Sequence, residues 1–319
     1  MAARTLSSPP SLLPLYARAA MAMVPGSSLL PFVPGGSDEI PDIELTLAAS
    51  RLEPDRVAAY AKVCGFSLRD TLPTTYPHVL AFPLHMAVMA DGHFPFGAVG
   101  LVHVENRIVQ HRPIALGEEM ALRVRSGKLR PHASGRAFSL TTEVVLAGAP
   151  VWEETSTFLR RGGGAGDRAE GPAEHADGSA ERAEGTGERA DGAGVEPEPM
   201  PTAEWRLPGD LGRRYAAVSG DRNPIHMHAL SAKAFGFPRA IAHGMWTKAR
   251  CLAALESRLP DAFAVQVRFR KPILLPASVD FMEAEREGTT HFAVKDSAGQ
   301  TSHLQGSVES IESTGGAGR

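Results

Sequence analysis

An internal duplication is the feature that most constrains how this chain of 319 residues can fold. Three short blocks occur in the same order in both halves of the chain. They are 60–66 (YAKVCGF) with 215–221 (YAAVSGD), 77–83 (PHVLAFP) with 238–244 (PRAIAHG), and 112–114 (RPI) with 271–273 (KPI). One short match can arise by chance, but three in register indicate two domains of one design.

The two halves are separated by a segment of different composition, residues 162–199. It holds ten acidic residues against three arginines, and it has one valine but no leucine, isoleucine or aromatic residue. Such a segment cannot bury enough apolar surface to offset the entropy lost on ordering, so we expect a disordered linker. The sequence thus divides into an N-terminal extension (1–39), a first domain (40–161), the linker (162–199), a second domain (200–312) and a flexible tail (313–319).

Each half combines one apolar helix with a series of strands. Apolar runs of helical length cover 84–90 and 245–255. Strands are predicted after each helix, at 101–109, 120–124, 138–146 and 151–159 in the first half, and at 264–269, 278–284, 291–295 and 301–311 in the second. One helix followed by an antiparallel sheet, twice over, predicts an α+β fold.

Composition excludes several classes of function. The net charge of −3 and the aromatic content of 6% argue against a nucleic-acid-binding surface. No segment reaches the roughly 18–20 consecutive apolar residues that a membrane-spanning helix needs. The two cysteines, Cys64 and Cys251, are isolated, which fits a reducing compartment and two buried thiols. We therefore expect a soluble cytoplasmic protein that binds neither nucleic acid nor membrane.

The halves differ most between their first and second blocks. The interval between the blocks is 11 positions in the first half and 17 in the second, and the added residues are polar. The first half also has Phe66 where the second has Asp221, and Phe82 where the second has His243. The pattern indicates that the first half has lost a polar site which the second half retains.

The polar segment of the second half has the residue types of an acid–base site. Asn223-Pro224 favours an extended or turned backbone, so we expect a loop that directs Asp221 and His226 into a cleft. A carboxylate and an imidazole on either side of one water could remove its proton and return a proton to carbon. Gly244, just ahead of the predicted helix, would offer a backbone N–H to an enolate-like oxygen.

These residues carry a resemblance to a known family. The sequence YAxxSGDxNPIH at 215–226, followed by Gly236-Phe237 and IAHGM at 241–245, resembles the hydratase motif of the MaoC-like, (R)-specific enoyl-thioester hydratases and 3-hydroxyacyl-thioester dehydratases. The resemblance implies a double hot-dog fold, in which two antiparallel sheets each wrap a central helix and pair as a pseudo-dimer. His228 stands where many members have aspartate, which we interpret as a peripheral change.

The resemblance also implies roles for individual residues. Asp221 and His226 would activate water, Asn223 and Ser219 would support them, and the Gly244 N–H would contact the thioester carbonyl. The substrate would further contact His243 and Met245, although a structural role for His243 at the start of the helix fits equally well. The degenerate first half would make room for the acyl chain, with an apolar tunnel lined by Phe66, Phe82, Leu84, Met86 and Met89; ordinary core packing explains each of these five equally well.

The expected activity is the reversible hydration of trans-2-enoyl thioesters to (R)-3-hydroxyacyl thioesters in fatty-acid metabolism. It needs no redox cofactor, because coenzyme A or the phosphopantetheine of an acyl carrier protein is part of the substrate. The expected partner is therefore acyl-CoA or acyl carrier protein. The chain would act as a monomeric pseudo-dimer or as a homodimer.

Three alternatives remain open on the sequence alone. A hot-dog thioesterase would usually place a carboxylate on the central helix, and 245–255 has none. A non-catalytic acyl-binding module would be expected to lose the Asp/His pair in both halves. A metal held by Asp221, His226 and His228 lacks an evident further ligand, so we predict no metal. Separately, Arg268, Arg270 and Lys271 either meet the phosphates of coenzyme A or lie in solvent, and we favour the latter.

Overall fold

The computed structural model describes residues 2–22, 33–35, 37–50, 52–98, 100–161 and 201–312. The predicted linker 162–199 and the tail 313–319 lie outside these residues. The first half contains β1 (Ala2–Leu6), α1 (Leu12–Met21), β2 (Ile43–Ser50), α2 (Pro54–Cys64), α3 (Tyr76–Met89), β3 (Leu101–Gln110), β4 (Met120–Ser126), β5 (Arg130–His132), β6 (Gly135–Leu146) and β7 (Ala149–Arg161). The second half contains β8 (Ala203–Leu207), α4 (Leu211–Ser219), α5 (Pro224–Met227), α6 (Ala229–Ala234), α7 (Gly244–Leu255), β9 (Phe263–Phe269), β10 (Ala277–Arg286), β11 (Thr289–Asp296) and β12 (Ser302–Ser310).

The strands of both halves form one continuous sheet. Its order is β1-β2-β4-β6-β7-β3-β9-β12-β11-β10-β8, with β5 paired to β6 at one side. The antiparallel pairing of β3 with β9 joins the halves. Within this pairing Ile108 lies opposite Val265, and both residues are fully buried. The expected double hot-dog arrangement is confirmed, with the pseudo-dimer formed inside a single chain.

One edge departs from the expected antiparallel pattern. β1 pairs parallel with β2, from Ala2 opposite Ile43 to Leu6 opposite Leu47. A parallel pair needs a crossover connection rather than a tight turn, and α1 lies in that connection. The predicted N-terminal extension thus contributes an edge strand and a helix to the first half.

The duplication is visible in the local structure of both halves. α2 and α4 each end in a left-handed glycine, Gly65 with φ of 86° and Gly220 with φ of 76°. A single antiparallel bridge follows in each half, Thr71 with Ala115 and Ile241 with Leu274. The aligned first blocks therefore fold alike and face each other: the rings of Tyr60 and Tyr215 are 6.1 Å apart.

The two central helices begin at different points of the aligned blocks. α7 begins at Gly244, one residue before its predicted start, whereas α3 begins at Tyr76, eight residues before the predicted helix 84–90. The prediction for α3 was wrong because Pro77 suits the first helical turn, where an N–H has no partner within the helix. The longer helix places His78 and His85, seven residues apart, on one helical face.

The core is apolar and extends across both halves. Its buried members include Tyr60, Phe138 and Trp152 from the first half and Tyr215 and Phe281 from the second. Both cysteines are buried and unpaired. Within the residues that the structure describes, no helix combines the length and the apolar character needed to cross a bilayer.

We expect the Ile108→Ala variant to lose about 2–4 kcal/mol of unfolding free energy, because it opens a cavity at the junction of the half-sheets. Leu68→Ala is the control, since Leu68 is 75% exposed and its removal should change stability by less than about 0.5 kcal/mol. Denaturant unfolding followed by circular dichroism measures both. Equal stability of the two variants would contradict the importance of the junction.

Candidate active site

A hydrogen-bonded turn after α4 positions Asp221. The helix ends at Gly220, and the Ser219 hydroxyl then accepts a hydrogen bond from the Asp221 N–H at 3.2 Å. Asp221 Oδ1 accepts from the Asn223 N–H at 3.1 Å, and Asn223 Oδ1 accepts from the Ile225 N–H at 3.4 Å as the cap of α5. Hydrogen bonds between side chains and the backbone within residues 219–225 thus hold the Asp221 carboxylate in place.

His226 lies on a short helix, which corrects the prediction of a loop. Asn223 has the extended backbone expected before proline, but Pro224 then starts α5 because its missing N–H is tolerated in a first helical turn. His226 is buried, and its Nδ1 donates to the Ile241 carbonyl at 2.8 Å. In the neutral ring this hydrogen bond leaves Nε2 as the proton-accepting nitrogen.

His243 is both the N-cap residue of α7 and a wall of the site. Its ring stacks on that of His226, with centroids 3.7 Å apart and planes 24° from parallel. Its Nε2 donates to the Asp221 carbonyl oxygen at 3.1 Å, whereas its buried Nδ1 has no partner within the described residues. His243 therefore ties the start of the central helix to the Asp221 turn.

The three side chains form a compact group with one negative charge. A carboxylate oxygen of Asp221 and one ring nitrogen each of His226 and His243 all lie within 4.8 Å of one another. Burial alone would raise the pKa of Asp221, but His243, His226 and the Asn223 N–H together hold it below its ordinary value. Burial lowers the pKa of His226 despite the nearby carboxylate, and lowers that of His243 to about 3. At neutral pH the group is one carboxylate beside two neutral imidazoles.

Asp221, His226 and His243 together have the donor types of a metal site. The third residue differs from the sequence-based alternative, which named His228. His228 is exposed at the start of α6 and does not line the cavity, whereas His243 takes the third position. One nitrogen of each buried imidazole already donates to a backbone carbonyl. The prediction that this site works without a metal stays a prediction.

Gly244 occupies a position that a side chain would crowd. A Cβ there would lie 3.0 Å from the Phe269 ring. As the first residue of α7, its N–H belongs to the first turn, whose amides have no acceptor within the helix. The helix dipole adds positive potential at this end, so the amide suits an oxygen that gains negative charge.

The N-terminal helix α1 contacts the Asp221 turn, which the sequence did not predict. The Tyr16 hydroxyl of α1 donates to the Gly220 carbonyl at 3.1 Å and accepts from the Arg222 N–H at 2.6 Å. Tyr16 and Ala19 also line the cavity beside Asp221. No sequence motif indicates this contact, because Tyr16 and Gly220 are 204 positions apart.

The group opens on a cavity of about 200 Å³ whose walls come from both halves. Most of the predicted site residues line it: Phe82, Met86, Met89, Ser219, Asp221, Asn223, His226, His243, Gly244 and Met245. Phe66 and Leu84 do not, and they belong to the buried core instead. For Phe66 the structure favours the core-packing alternative, since its N–H bonds to the Ala61 carbonyl and keeps the residue against the end of α2.

The first half is less apolar than its sequence suggests. His78 and His85 from α3 and His103 from β3 all line the same cavity. Glu154 is buried behind them, where its carboxylate accepts from His78 Nδ1 at 2.8 Å and from Asn106 Nδ2 at 2.6 Å. The first half thus lacks the counterpart of the Asp221 site but has other polar groups, which the repeat alignment does not show because it compares single positions and not residues converging from different elements.

The basic residues after β9 contribute to another part of the lining. Arg270, Lys271 and His303 line the cavity, and Arg270 donates to Gln305 Oε1 at 3.0 Å. Arg268 is not part of the lining; its Nε lies 3.4 Å from a Glu105 oxygen across the junction. Two of the three predicted cations are therefore placed to contact a ligand.

Comparisons with known proteins identify the family of this chain. The model of the MaoC like domain matches residues 193–307. The 3-hydroxyacyl-thioester dehydratase X of Mycobacterium tuberculosis is 37% identical over 88% of this chain and 94% of its own length. The chain belongs to the MaoC-like dehydratase family.

Solved structures extend the similarity to the whole double fold. The crystal structure of HtdX of M. tuberculosis has a TM-score of 0.70 and 36% identity, covering 84% of this chain and all of that one. A second M. tuberculosis protein, described as having a double hotdog fold, has a TM-score of 0.52 at 13% identity and covers 83% of this chain and 95% of its own. At 13% identity, the similarity to this second protein is evidence for the fold only.

Gly212 of this MaoC-like chain lies where α4 meets α5, and a Cβ there would overlap the His226 carbonyl oxygen. We expect Gly212→Ala to lower the melting temperature and to displace His226. Gly117→Ala is the matched control, because a Cβ at Gly117 has no neighbour within 4 Å, and this change should be neutral or slightly stabilising. Thermal unfolding and histidine NMR measure the two effects. An unchanged His226 environment in Gly212→Ala would contradict the role assigned to this contact.

Stability of the MaoC-like fold should fall as pH decreases below 6.5. Burial lowers the pKa of His85, His103 and His243 to about 3, so between pH 6.5 and 3 the unfolded chain binds protons that the folded chain does not. Each group then contributes up to about 1.4 kcal/mol per pH unit to the loss. Denaturant unfolding at pH 7.5, 6 and 5 tests this, with His243→Asn expected to show a smaller slope. A free energy of unfolding that stays constant over this range would disprove it.

Proposed function

We propose that this protein interconverts 3-hydroxyacyl and trans-2-enoyl thioesters by removing or adding water, with Asp221 and His226 as the acid–base pair. The observation that carries the proposal is the closeness of the Asp221 carboxylate to a ring nitrogen of His226, on the wall of a mostly apolar cavity. The name of the M. tuberculosis relative, a 3-hydroxyacyl-thioester dehydratase, and the match to the MaoC like domain support the same reaction.

In the hydration direction, the Asp221 carboxylate and His226 Nε2 hold one water beside C3 of the enoyl group. The water oxygen forms a bond to C3 while one of its protons passes to the pair. The electron pair of the double bond moves toward C2 and the thioester carbonyl. The pair then returns a proton to C2, so it ends in its starting protonation state. Addition on one face gives the (R)-3-hydroxyacyl product, and dehydration reverses each step.

The remaining residues position the substrate around this pair. The Gly244 N–H donates to the thioester oxygen, which gains negative charge as C3 is attacked. Asn223, Ser219 and Tyr16 act as positioning residues, since their contacts hold the backbone and carboxylate of the Asp221 turn. Water addition leaves the overall oxidation state unchanged, so the proposal requires no redox cofactor.

The thioester carrier would lie against the basic part of the lining. Arg270, Lys271 and His303 fit the phosphate groups of coenzyme A or of the phosphopantetheine of a carrier protein. Met245, Phe82 and Met86 would contact the first carbons of the acyl chain. The single chain already pairs its two half-sheets, so one copy suffices for the site.

A thioesterase is the alternative on the same scaffold. It would need a carboxylate or similar group to direct water at the thioester carbonyl. The central helix α7 has no acidic residue along its length, GMWTKARCLAAL. The acid–base pair instead follows α4, next to the helix N-terminus that would bind the carbonyl oxygen. This placement favours reaction at the adjacent carbons.

The test follows the ultraviolet band of the conjugated enoyl thioester with crotonyl-CoA and a longer trans-2-enoyl-CoA. We expect Asp221→Asn and His226→Ala to reduce kcat/KM by on the order of 10² to 10⁴, the usual contribution of an acid–base group. His228→Ala is the control, two residues from His226 but exposed and outside the cavity, and it should retain activity. Chiral analysis of the product tests the (R) configuration.

Two results would contradict the proposal. Near-wild-type hydration by a folded Asp221→Asn protein would remove the carboxylate from the mechanism. Release of free thiol without loss of the enoyl band would instead establish the thioesterase. Parallel assays with acyl-CoA and acyl carrier protein substrates decide which carrier the basic residues bind.

A further inference from the structure

We propose that the first-half wall of the cavity binds a neutral oxygen group, a hydroxyl or an oxo group, on the acyl chain of the substrate. The binding residues are His78, His85 and His103, and the inference rests on the proposed function only in taking the ligand to be an acyl thioester. These residues play no part in the reaction proposed above. They would set which acyl chains the protein accepts.

The three imidazoles form one cluster in the cavity wall. The His78 ring centroid is 5.4 Å from that of His85 and 6.2 Å from that of His103. His78 and His85 come from α3 and His103 from β3, so all three belong to the first half. The acid–base pair belongs to the second half, which makes this a second polar region of the same cavity.

Contacts from both halves hold His78 in place. Glu154, only 2% exposed, binds His78 Nδ1 with its two oxygens at 2.8 and 3.0 Å and also accepts from Asn106. The Asn106 side-chain oxygen in turn accepts from the buried Lys248 of α7. With Nδ1 committed to the carboxylate, Nε2 of His78 has no hydrogen-bond partner among the described residues. A fixed imidazole with one uncommitted nitrogen is suited to binding a ligand.

The other two histidines also have uncommitted polar atoms. His85 Nε2 bonds to Thr142 Oγ1 at 2.7 Å, but its Nδ1 is buried without a partner within the described residues. His103 packs against the Phe158 and Phe269 rings, with centroids 4.7 and 4.9 Å away, and its buried Nε2 also lacks a partner there. Leucine or phenylalanine would line a purely alkyl tunnel without leaving polar atoms unpaired. Three histidines at this wall therefore indicate a ligand that can form hydrogen bonds.

The electrostatics of the cluster select a neutral group. Burial lowers the pKa of both His85 and His103 to about 3, so each ring is neutral at pH 7, and its unpaired nitrogen donates or accepts a hydrogen bond according to the tautomer. The buried Glu154 carboxylate beside His78 would repel a second carboxylate on the acyl chain. A hydroxyl or oxo oxygen can use these donors and acceptors without adding charge.

The first test measures binding without reaction. Calorimetric titration compares decanoyl-CoA with decanoyl-CoA carrying a hydroxyl or an oxo group at successive positions from C4 onward, so that C2 and C3, where the proposed reaction takes place, stay unsubstituted. We expect at least one oxygenated ligand to bind wild-type protein about tenfold more tightly than the unsubstituted one, the equivalent of one well-placed hydrogen bond. Because none of these ligands is a 2-enoyl or a 3-hydroxyacyl thioester, none is a substrate of the proposed reaction, and the result is independent of the catalytic proposal.

Variants then locate the preference. His103→Phe retains the ring packing against Phe158 and Phe269, and His85→Leu with Thr142→Val removes both partners of one buried hydrogen bond. At least one of these proteins should lose the tenfold preference while binding decanoyl-CoA as well as wild type or better. Met89→Leu, a conservative apolar change in the same lining, should shift the affinities for both ligands by the same factor.

Two outcomes would overturn the proposal. One is wild-type protein that binds no oxygenated ligand more tightly than decanoyl-CoA. The other is a preference that persists in both histidine variants. If instead the preference is found but no enoyl thioester is hydrated, the polar region stands and the proposed reaction fails.

Discussion

The antiparallel pairing of β3 with β9 is the interaction on which the rest of the structure depends. It converts two half-sheets into one surface, and residues of both halves line the shared cavity. The buried contact of Lys248 with Asn106 crosses the same junction, so the second half's central helix is tied to the first half's sheet. Burial lowers the Lys248 pKa to about 7, which reflects how completely water is excluded here.

The two halves place different polar groups on the same scaffold. In the second half, a turn stabilised by its own hydrogen bonds presents a carboxylate and an imidazole to the cavity. In the first half, the equivalent turn is shorter and α3 extends back over the aligned block, so that its histidines reach the cavity instead. The first half thus lacks the counterpart of the Asp221 turn and has a histidine cluster at the cavity wall in its place.

Much of the fold could be predicted because its signals are local. The periodic apolar runs and the alternating strands located α7 and eight strands, and the repeated blocks indicated two similar domains. The turn that holds Asp221 was also visible, since Ser219, Asn223 and Pro224 act on backbone atoms within a few residues. The start of α3 is not visible in the apolar run, which begins at residue 84, because Pro77 permits a first helical turn eight residues earlier, at Tyr76.

The sequence by itself indicated the duplication and the α+β class and singled out Asp221 and His226 as candidates, since short-range spacing encodes each of these. Only the tertiary structure placed Tyr16 on the Asp221 turn, stacked His243 on His226, moved Phe66 into the core and gathered three histidines around Glu154. Those contacts join residues that are far apart in the chain, in some cases on different halves. Their positions follow from the pairing of strands and the packing of helices, which no local pattern encodes.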